Sequence, residues 1–357
     1  MPQNHPISDK LISWYKKHKR DLPWRNINDP YKIWLSEIIL QQTQVIQGLN
    51  YYIKFTETFP TIIDLANAPE DQVMRLWQGL GYYSRARNLH TAAKAVKTIY
   101  KGNFPNTYES IKELKGVGDY TAAAVASFAF NLPHAVVDGN VYRVLSRLFN
   151  IDTPINSTQG KKEFQLLAND LLNHKNPGLH NSAMMEFGAL WCKPQNPKCE
   201  ECPLQAYCLA YEKDTVNLLP VKDKKIKIRN RYLHYFIFNY KDSIYVQKRT
   251  EKDIWQNLYE FYLIETEKET DPEYVLKHKE LKQLAKGAQI VSITPQKKHI
   301  LSHQHLYATF YEINTTAPIV SKSLIKIKRT KLTTIGFPQL INRYIIETEA
   351  KRSMSSK

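Results

Sequence analysis

All four cysteines of this 357-residue chain fall within one short stretch, as Cys192-x6-Cys199-x2-Cys202-x5-Cys208. Few features constrain a fold more. Disulfides are usually spread to staple distant segments, and a reducing cytosol disfavours them. Four thiolates this close together can instead surround a single centre. Zinc and iron–sulfur clusters both accept four cysteines. Generic zinc sites pair two CxxC units across a longer gap, whereas here one CxxC is flanked by longer loops. Residues 192–208 therefore point to a metal site rather than bare thiols, with the basic Lys193 and Lys198 in the same loop.

The rest of the chain divides around that loop. Before it, apolar positions recur with helical spacing, as at Leu11, Ile12, Trp14 and Tyr15, and helical runs are predicted at 9–19, 31–54, 70–77, 84–100, 107–114, 120–130, 140–149, 159–173 and 179–190. Pro60, Pro105, Pro133 and Pro177 fall in the gaps. After it, short β-branched and aromatic segments appear at 234–240, 243–249, 258–264, 288–295 and 305–314, separated by turns. Helical pieces at 272–284 and 338–347 interrupt them, which predicts an α+β domain. The expected organisation is an all-α domain over 1–212, a basic connector over 213–231, an α+β domain over 232–350 and a disordered tail over 351–357. The connector carries Lys222, Lys224, Lys225, Lys227, Arg229 and Arg231 against Asp223 near its end, and reads either as a solvated linker or as a strip lying on DNA.

Charge narrows the partner. Lys plus Arg number 50 and Asp plus Glu 34, a formal net charge of +16. That surplus suits a polyanion such as nucleic acid, which is bound by phosphate neutralisation and counterion release. No apolar run reaches membrane-spanning length and the N-terminus has no signal-peptide pattern, so a cytoplasmic protein with no membrane partner is expected.

Residues 114–140 carry the chemistry. LKGVGDYTAAA begins with a turn in which Gly116 and Gly118 permit close backbone approach. The amides of such a turn and of the following helix N-terminus form an anion site. Asp138 follows in VVDGNVYRVL, and is either a helix N-cap or an acid emerging from a core segment beside the turn. Glu37 lies among Ile33, Trp34, Leu35, Ile38, Ile39 and Leu40. It either faces solvent or lines a pocket, where desolvation would make it a proton donor. Two carboxylates in unlike environments are the usual arrangement of an acid and a charge stabiliser.

Taken together, PWR at 23–25, SEIILQQTQV, GLGYYSRARNLH, LKGVGDYTAAA, VDGNVYRVLSRL and the cysteine loop resemble the MutY family of adenine DNA glycosylases, within the endonuclease III superfamily. The likeness spans about 8–350 and is densest before residue 210. It implies a multidomain chain: an all-α helix-hairpin-helix glycosylase domain with a [4Fe-4S] cluster on Cys192, Cys199, Cys202 and Cys208, then an α+β MutT-like (Nudix) domain. It implies hydrolysis of the N-glycosidic bond of adenine opposite 8-oxoguanine or guanine in double-stranded DNA, by a monomer acting in base-excision repair at the bacterial nucleoid.

Roles carry over residue by residue. The resemblance makes Glu37 the acid that protonates adenine N7, Asp138 the carboxylate that stabilises the oxocarbenium-like sugar, and Tyr120 and Asn140 their assistants. It sets Arg25 at the rim of the adenine pocket, and Gln42, Thr43 and Tyr82 as a wedge on the 8-oxoguanine side. Gly116 and Gly118 become the phosphate grip. Ser302 and His303 match the family's base-reading Phe-Ser-His loop, in which Leu301 departs from the pattern. Bifunctional endonuclease III carries a Schiff-base lysine where this chain has Tyr120, and tyrosine cannot form an imine. The segment after residue 263 lacks the metal-binding REXXEE helix of Nudix hydrolases, so the second domain should bind rather than hydrolyse. The competing readings are an endonuclease III-like pyrimidine glycosylase and lyase, and a DNA-binding iron–sulfur protein without enzymatic activity.

Overall fold

The computed structural model describes residues 5–223, 228–284 and 286–355. Lys224, Lys225 and Lys227 of the basic connector lie outside them. Contacts divide the chain into two compact units: Met1–Asn67 with Asn88–Lys224, and Ala68–Arg87 with Lys225–Lys357. Ala68–Arg87 belongs to the second unit by its contacts, although the sequence groups it with the helices. Lys248 Nζ holds Asp71 Oδ1 at 2.8 Å and Arg87 Nη1 donates to the Gln256 carbonyl at 2.8 Å.

The first unit is helical. Asp29 caps the helix Pro30–Leu40 through the amides of Tyr31 and Lys32, with Pro30 preset for the first turn. The single run expected over 31–54 is two helices, Pro30–Leu40 and Val45–Thr58. They part because Gln42 takes a left-handed backbone, φ +54°, which periodicity does not reveal. A further helix, Ile62–Asn67, was not expected. Helix Asp119–Phe130 is short in side chain, with Ala122–Ala126 buried, and packs against Pro30–Leu40. Helix Pro177–Leu190 packs against three others, Pro6–His18, Asp119–Phe130 and Gly139–Leu148. The main core of this unit gathers Leu11, Trp14, Leu145, Phe164 and Phe187, with Cys192, Cys202 and Cys208 packed against it.

The second unit is built on an eight-stranded mixed sheet. Its strands are β1 (Arg229–Tyr240), β2 (Ser243–Lys248), β3 (Tyr259–Glu260), β4 (Tyr262–Thr266), β5 (Gln289–Ile293), β6 (Lys297–Ile300), β7 (Gln304–Asn314) and β8 (Ile325–Lys328). β1 runs parallel to β7 from Arg229↔Gln304 to Asn239↔Asn314 and antiparallel to β4. Phe236, Phe238, Tyr245 and Tyr311 fill one face of it. β6 and β8 escape the sequence reading: they are four residues each and largely exposed, so no apolar pattern marks them. The expected helix over 272–284 is two short pieces, Pro272–Val275 and Lys279–Leu284. The closing helix Gln339–Ser355 runs through the start of the expected disordered tail. Among the described residues no helix is long and apolar enough to cross a membrane.

Candidate active site

Glu37 sits on the third turn of Pro30–Leu40, where almost every residue is buried. Its neighbours are packed inward, and the carboxylate, 7% exposed, goes in with them. Of the two placements open to it from sequence, it takes the pocket. Tyr120, near the start of Asp119–Phe130, donates its hydroxyl hydrogen to Glu37 Oε2 at 2.7 Å. Burial pushes the Glu37 carboxyl up to about 7, and the nearby Asp138 adds to this. The Tyr120 hydrogen bond and the Arg25 guanidinium oppose it without prevailing. The Tyr120 phenol is itself driven well above its ordinary range by burial and by the two carboxylates.

Asp138 proves to be a helix cap and a cavity residue at once. It caps Gly139–Leu148, accepting at Oδ1 from the amides of Asn140 and Val141, both at 2.8 Å. Its Oδ2 accepts from Asn140 Nδ2, also at 2.8 Å. Burial raises its carboxyl, while these three donors and Arg143 pull the other way. These donors favour its ionised form, whereas Glu37 accepts from the Tyr120 hydroxyl.

Glu37, Asp138, Tyr120, Asn140, Arg25 and Thr43 line a single cavity of about 1110 Å³ within the first unit. Sequence reasoning missed Glu186 on the same wall. This carboxylate is 1% exposed and accepts from Arg20 Nε and Nη2, each at 2.8 Å, and from Arg25 Nη2 at 3.1 Å. Burial alone would raise its pKa, but the two arginines outweigh burial and hold it below its usual range. An acid in a helix of mixed composition gives no sequence signal; only its arginine partners, some 160 residues earlier in the chain, reveal it.

The remaining predicted residues lie elsewhere. Gln42 occupies the turn at the end of Pro30–Leu40. Gly116 has φ +81°, and a Cβ there would stand 2.6 Å from Asn88 Cβ, so both torsion and space demand glycine. At Gly118 a Cβ would meet nothing within 4 Å. Tyr82, Ser302 and His303 belong to the second unit. Leu301, Ser302 and His303 form the tip between β6 and β7, and the Tyr82 hydroxyl hydrogen-bonds that of Ser302.

The four cysteines are free thiols lining one small cavity with Arg147, Trp191 and Leu204. Among the described residues no three His, Cys, Asp or Glu converge as the ligands of a single ion would. The four thiols nonetheless line one and the same cavity, as a group held by all four would need. Burial lifts the Cys202 thiol to about 12, and bound iron would supply the positive charge that favours its thiolate. Arg147 ties the loop down, reaching Cys192 Sγ at 3.4 Å and the carbonyls of Lys193 and Val216 at 2.8 and 3.0 Å.

A helical unit with a glycine hairpin, a buried carboxylate pair and a four-cysteine loop defines a base-excision DNA glycosylase of the helix-hairpin-helix class. Residues 35–170 match the HhH-GPD superfamily of base excision DNA repair proteins, 192–208 match the iron-sulfur binding domain of endonuclease III, and 234–347 match the NUDIX domain. The adenine DNA glycosylase of Buchnera aphidicola subsp. Baizongia pistaciae is 36% identical over 83% of both chains. That of Mus musculus is 44% identical over 57% of this chain and 41% of its own. Among solved structures, a thermostable thymine-DNA glycosylase superposes with a TM-score of 0.54 at 32% identity, over 58% of this chain and 95% of its own. The chain belongs to the adenine DNA glycosylase family, and its cysteine loop is a [4Fe-4S] site.

Proposed function

We propose that this enzyme removes adenine mispaired with 8-oxoguanine, or with guanine, from duplex DNA, and leaves the strand uncut. The observation that supports this most is the meeting of Glu37, Tyr120 and Asp138 in one cavity, in environments that set the two carboxyls apart. The adenine nucleotide rotates out of the stack into the cavity. Protonated Glu37 donates to adenine N7, and the C1′–N9 bond breaks with its electron pair leaving on the base. Asp138, ionised and held by Asn140, stabilises the positive charge on the sugar, with transient covalent bonding as the limiting case. Water then adds to C1′ and returns a proton to Glu37. Tyr120 orients Glu37 and offers no amine, so no imine with the sugar forms.

Arg25 bounds the adenine pocket. The outward amides around Gly116 and Gly118 hold a backbone phosphate, and the open space at Gly118 leaves room for it. Gln42, Thr43 and Tyr82 wedge into the duplex, and Ser302 and His303 read the base opposite adenine. The protein works as a monomer on DNA in the bacterial cytoplasm. The cluster holds its loop together structurally.

The test is single-turnover base release on duplexes carrying 8-oxoguanine, guanine or cytosine opposite adenine. Release is expected with 8-oxoguanine and guanine and little with cytosine, and strand scission only after hot alkali. High-yield borohydride trapping of a protein–DNA adduct would instead favour a lyase.

A further inference from the structure

The path that delivers Asp138 poses a problem of its own. Helix Asp119–Phe130 ends at Asn131, whose left-handed backbone turns the chain outward, and residues 131–138 then run without regular structure to the cap of the next helix. Segments of this kind have no ladder to satisfy their backbone, yet Ala135, Val136 and Val137 are buried. Asn181, from helix Pro177–Leu190, takes the place of a neighbouring strand. Its Oδ1 accepts from the Val136 amide at 3.1 Å, and its Nδ2 donates to the His134 carbonyl at 2.8 Å and to Ser127 Oγ at 2.9 Å. The side chain is 2% exposed and both ends of its amide are engaged. From the other side Gln165 Nε2 donates to the carbonyl of Ala135 at 3.0 Å.

We propose that Asn181 is a positioning residue for adenine excision, clamping residues 134–136 so that Asp138 meets the reacting sugar at a fixed place, with Gln165 as a weaker second clamp. The amide suits the task because it alone among short side chains both donates and accepts in one plane, reproducing a strand's hydrogen-bonding edge. One residue, Val137, separates the clamp from the carboxylate, so slack at Val136 passes directly to Asp138. The groups facing Asp138 from the packed elements are Glu37, Tyr120, Asn140 and Arg143. The hydrogen bonds of Asn181 go to Val136, His134 and Ser127, so the clamp reaches Asp138 through the chain.

This inference rests on the catalytic reading of Asp138. Its test compares Asn181→Ser, Gln165→Leu and Asp138→Asn in the cluster-loaded full-length protein. Each is measured for melting temperature, affinity for a duplex bearing a non-excisable adenine analogue opposite 8-oxoguanine, and single-turnover release across pH. Asn181→Ser is expected to slow release about 10- to 100-fold, the usual result of displacing a reacting group by about 1 Å, with affinity within about threefold. The acid limb of its pH profile should move upward as Asp138 loses well-placed donors. Gln165→Leu should slow release by a few-fold with the same displacement. Folded Asn181→Ser at the parent rate, or slowed only as far as its affinity falls with the pH profile unmoved, overturns the proposal. If Asn181→Ser does not fold, an unchanged rate and profile in Gln165→Leu overturns it. Parent-like release by Asp138→Asn would instead remove the catalytic reading on which the proposal stands.

Discussion

The Tyr120 hydroxyl lies 2.7 Å from Glu37 Oε2 and donates a hydrogen bond to that buried carboxylate. A single neutral donor is too little to offset burial, so Glu37 keeps its proton up to about pH 7. Asp138 is raised by burial too, but its three donors pull toward the ionised form. The proposed mechanism needs the pair to supply one acid and one anion near neutrality, the division of labour of glycosidic cleavage.

A bell-shaped pH–rate profile follows for single-turnover excision. The rate should fall as pH rises through about 7, where Glu37 loses the proton it must donate, and fall again in acid as Asp138 is neutralised. Tyr120→Phe removes a group that favours ionised Glu37, so its alkaline limb should lie at higher pH than the parent's. A limb that stays in place in this variant contradicts the assignment.

Stability should show the same proton. The Glu37 carboxyl is raised from 4.5 to about 7 on folding, so the folded state binds the extra proton and is fully favoured below the unfolded value. That contribution is lost as pH rises from about 4.5 through about 7, on the order of 3 kcal/mol at one-to-one conversion of the shift. Glu37→Gln should accordingly be more stable than the parent at pH 8, with the difference shrinking toward pH 5. Denaturant titrations at the two pH values measure it.

Gly188 is a packing requirement of the site. A Cβ there would stand 2.7 Å from Asn140 Cβ and 3.0 Å from the Asn140 carbonyl oxygen. Gly188→Ala must push back the residue that holds both oxygens of Asp138. Overpacking of this kind costs about 1–3 kcal/mol. Slowed excision beyond the loss in folded fraction is expected, read from denaturation and single-turnover rates together.

Loss of the cluster should reach the helical core. Cys192, Cys202 and Cys208 pack against the same apolar cluster as Leu145 and Phe187, and Arg147 bridges from Gly139–Leu148 to the loop. Cys202→Ser or iron chelation is expected to lower the melting temperature by several degrees or prevent folding, because metal-binding free energy is folding free energy at such sites. An unchanged melting curve in cluster-free protein would show that the loop folds without it.

Much of this was legible in the sequence because the signals were local. The spacing of Cys192, Cys199, Cys202 and Cys208 marked the metal loop, Gly116 and Gly118 marked the hairpin, and the switch in periodicity after residue 231 marked the second fold. What escaped depended on distant partners. Glu186 is silent until Arg20 and Arg25 are seen upon it, and Asn181 until it meets Val136 and His134. The break at Gln42 is set by one backbone torsion, and β6 and β8 are recruited by pairing with β7 and β2 rather than by their own patterns. Glu37 stood open between solvent and pocket, because helical spacing alone does not say which face of an all-apolar helix is covered.

The central claim is that Glu37 supplies the proton that lets adenine leave. It is tested most directly by single-turnover excision from an 8-oxoguanine·A duplex with Glu37→Gln, which keeps shape and hydrogen bonding but has no acidic proton. Loss of at least about 10²-fold in rate, with duplex affinity retained, is the predicted result. Adenine release at the parent rate would contradict it.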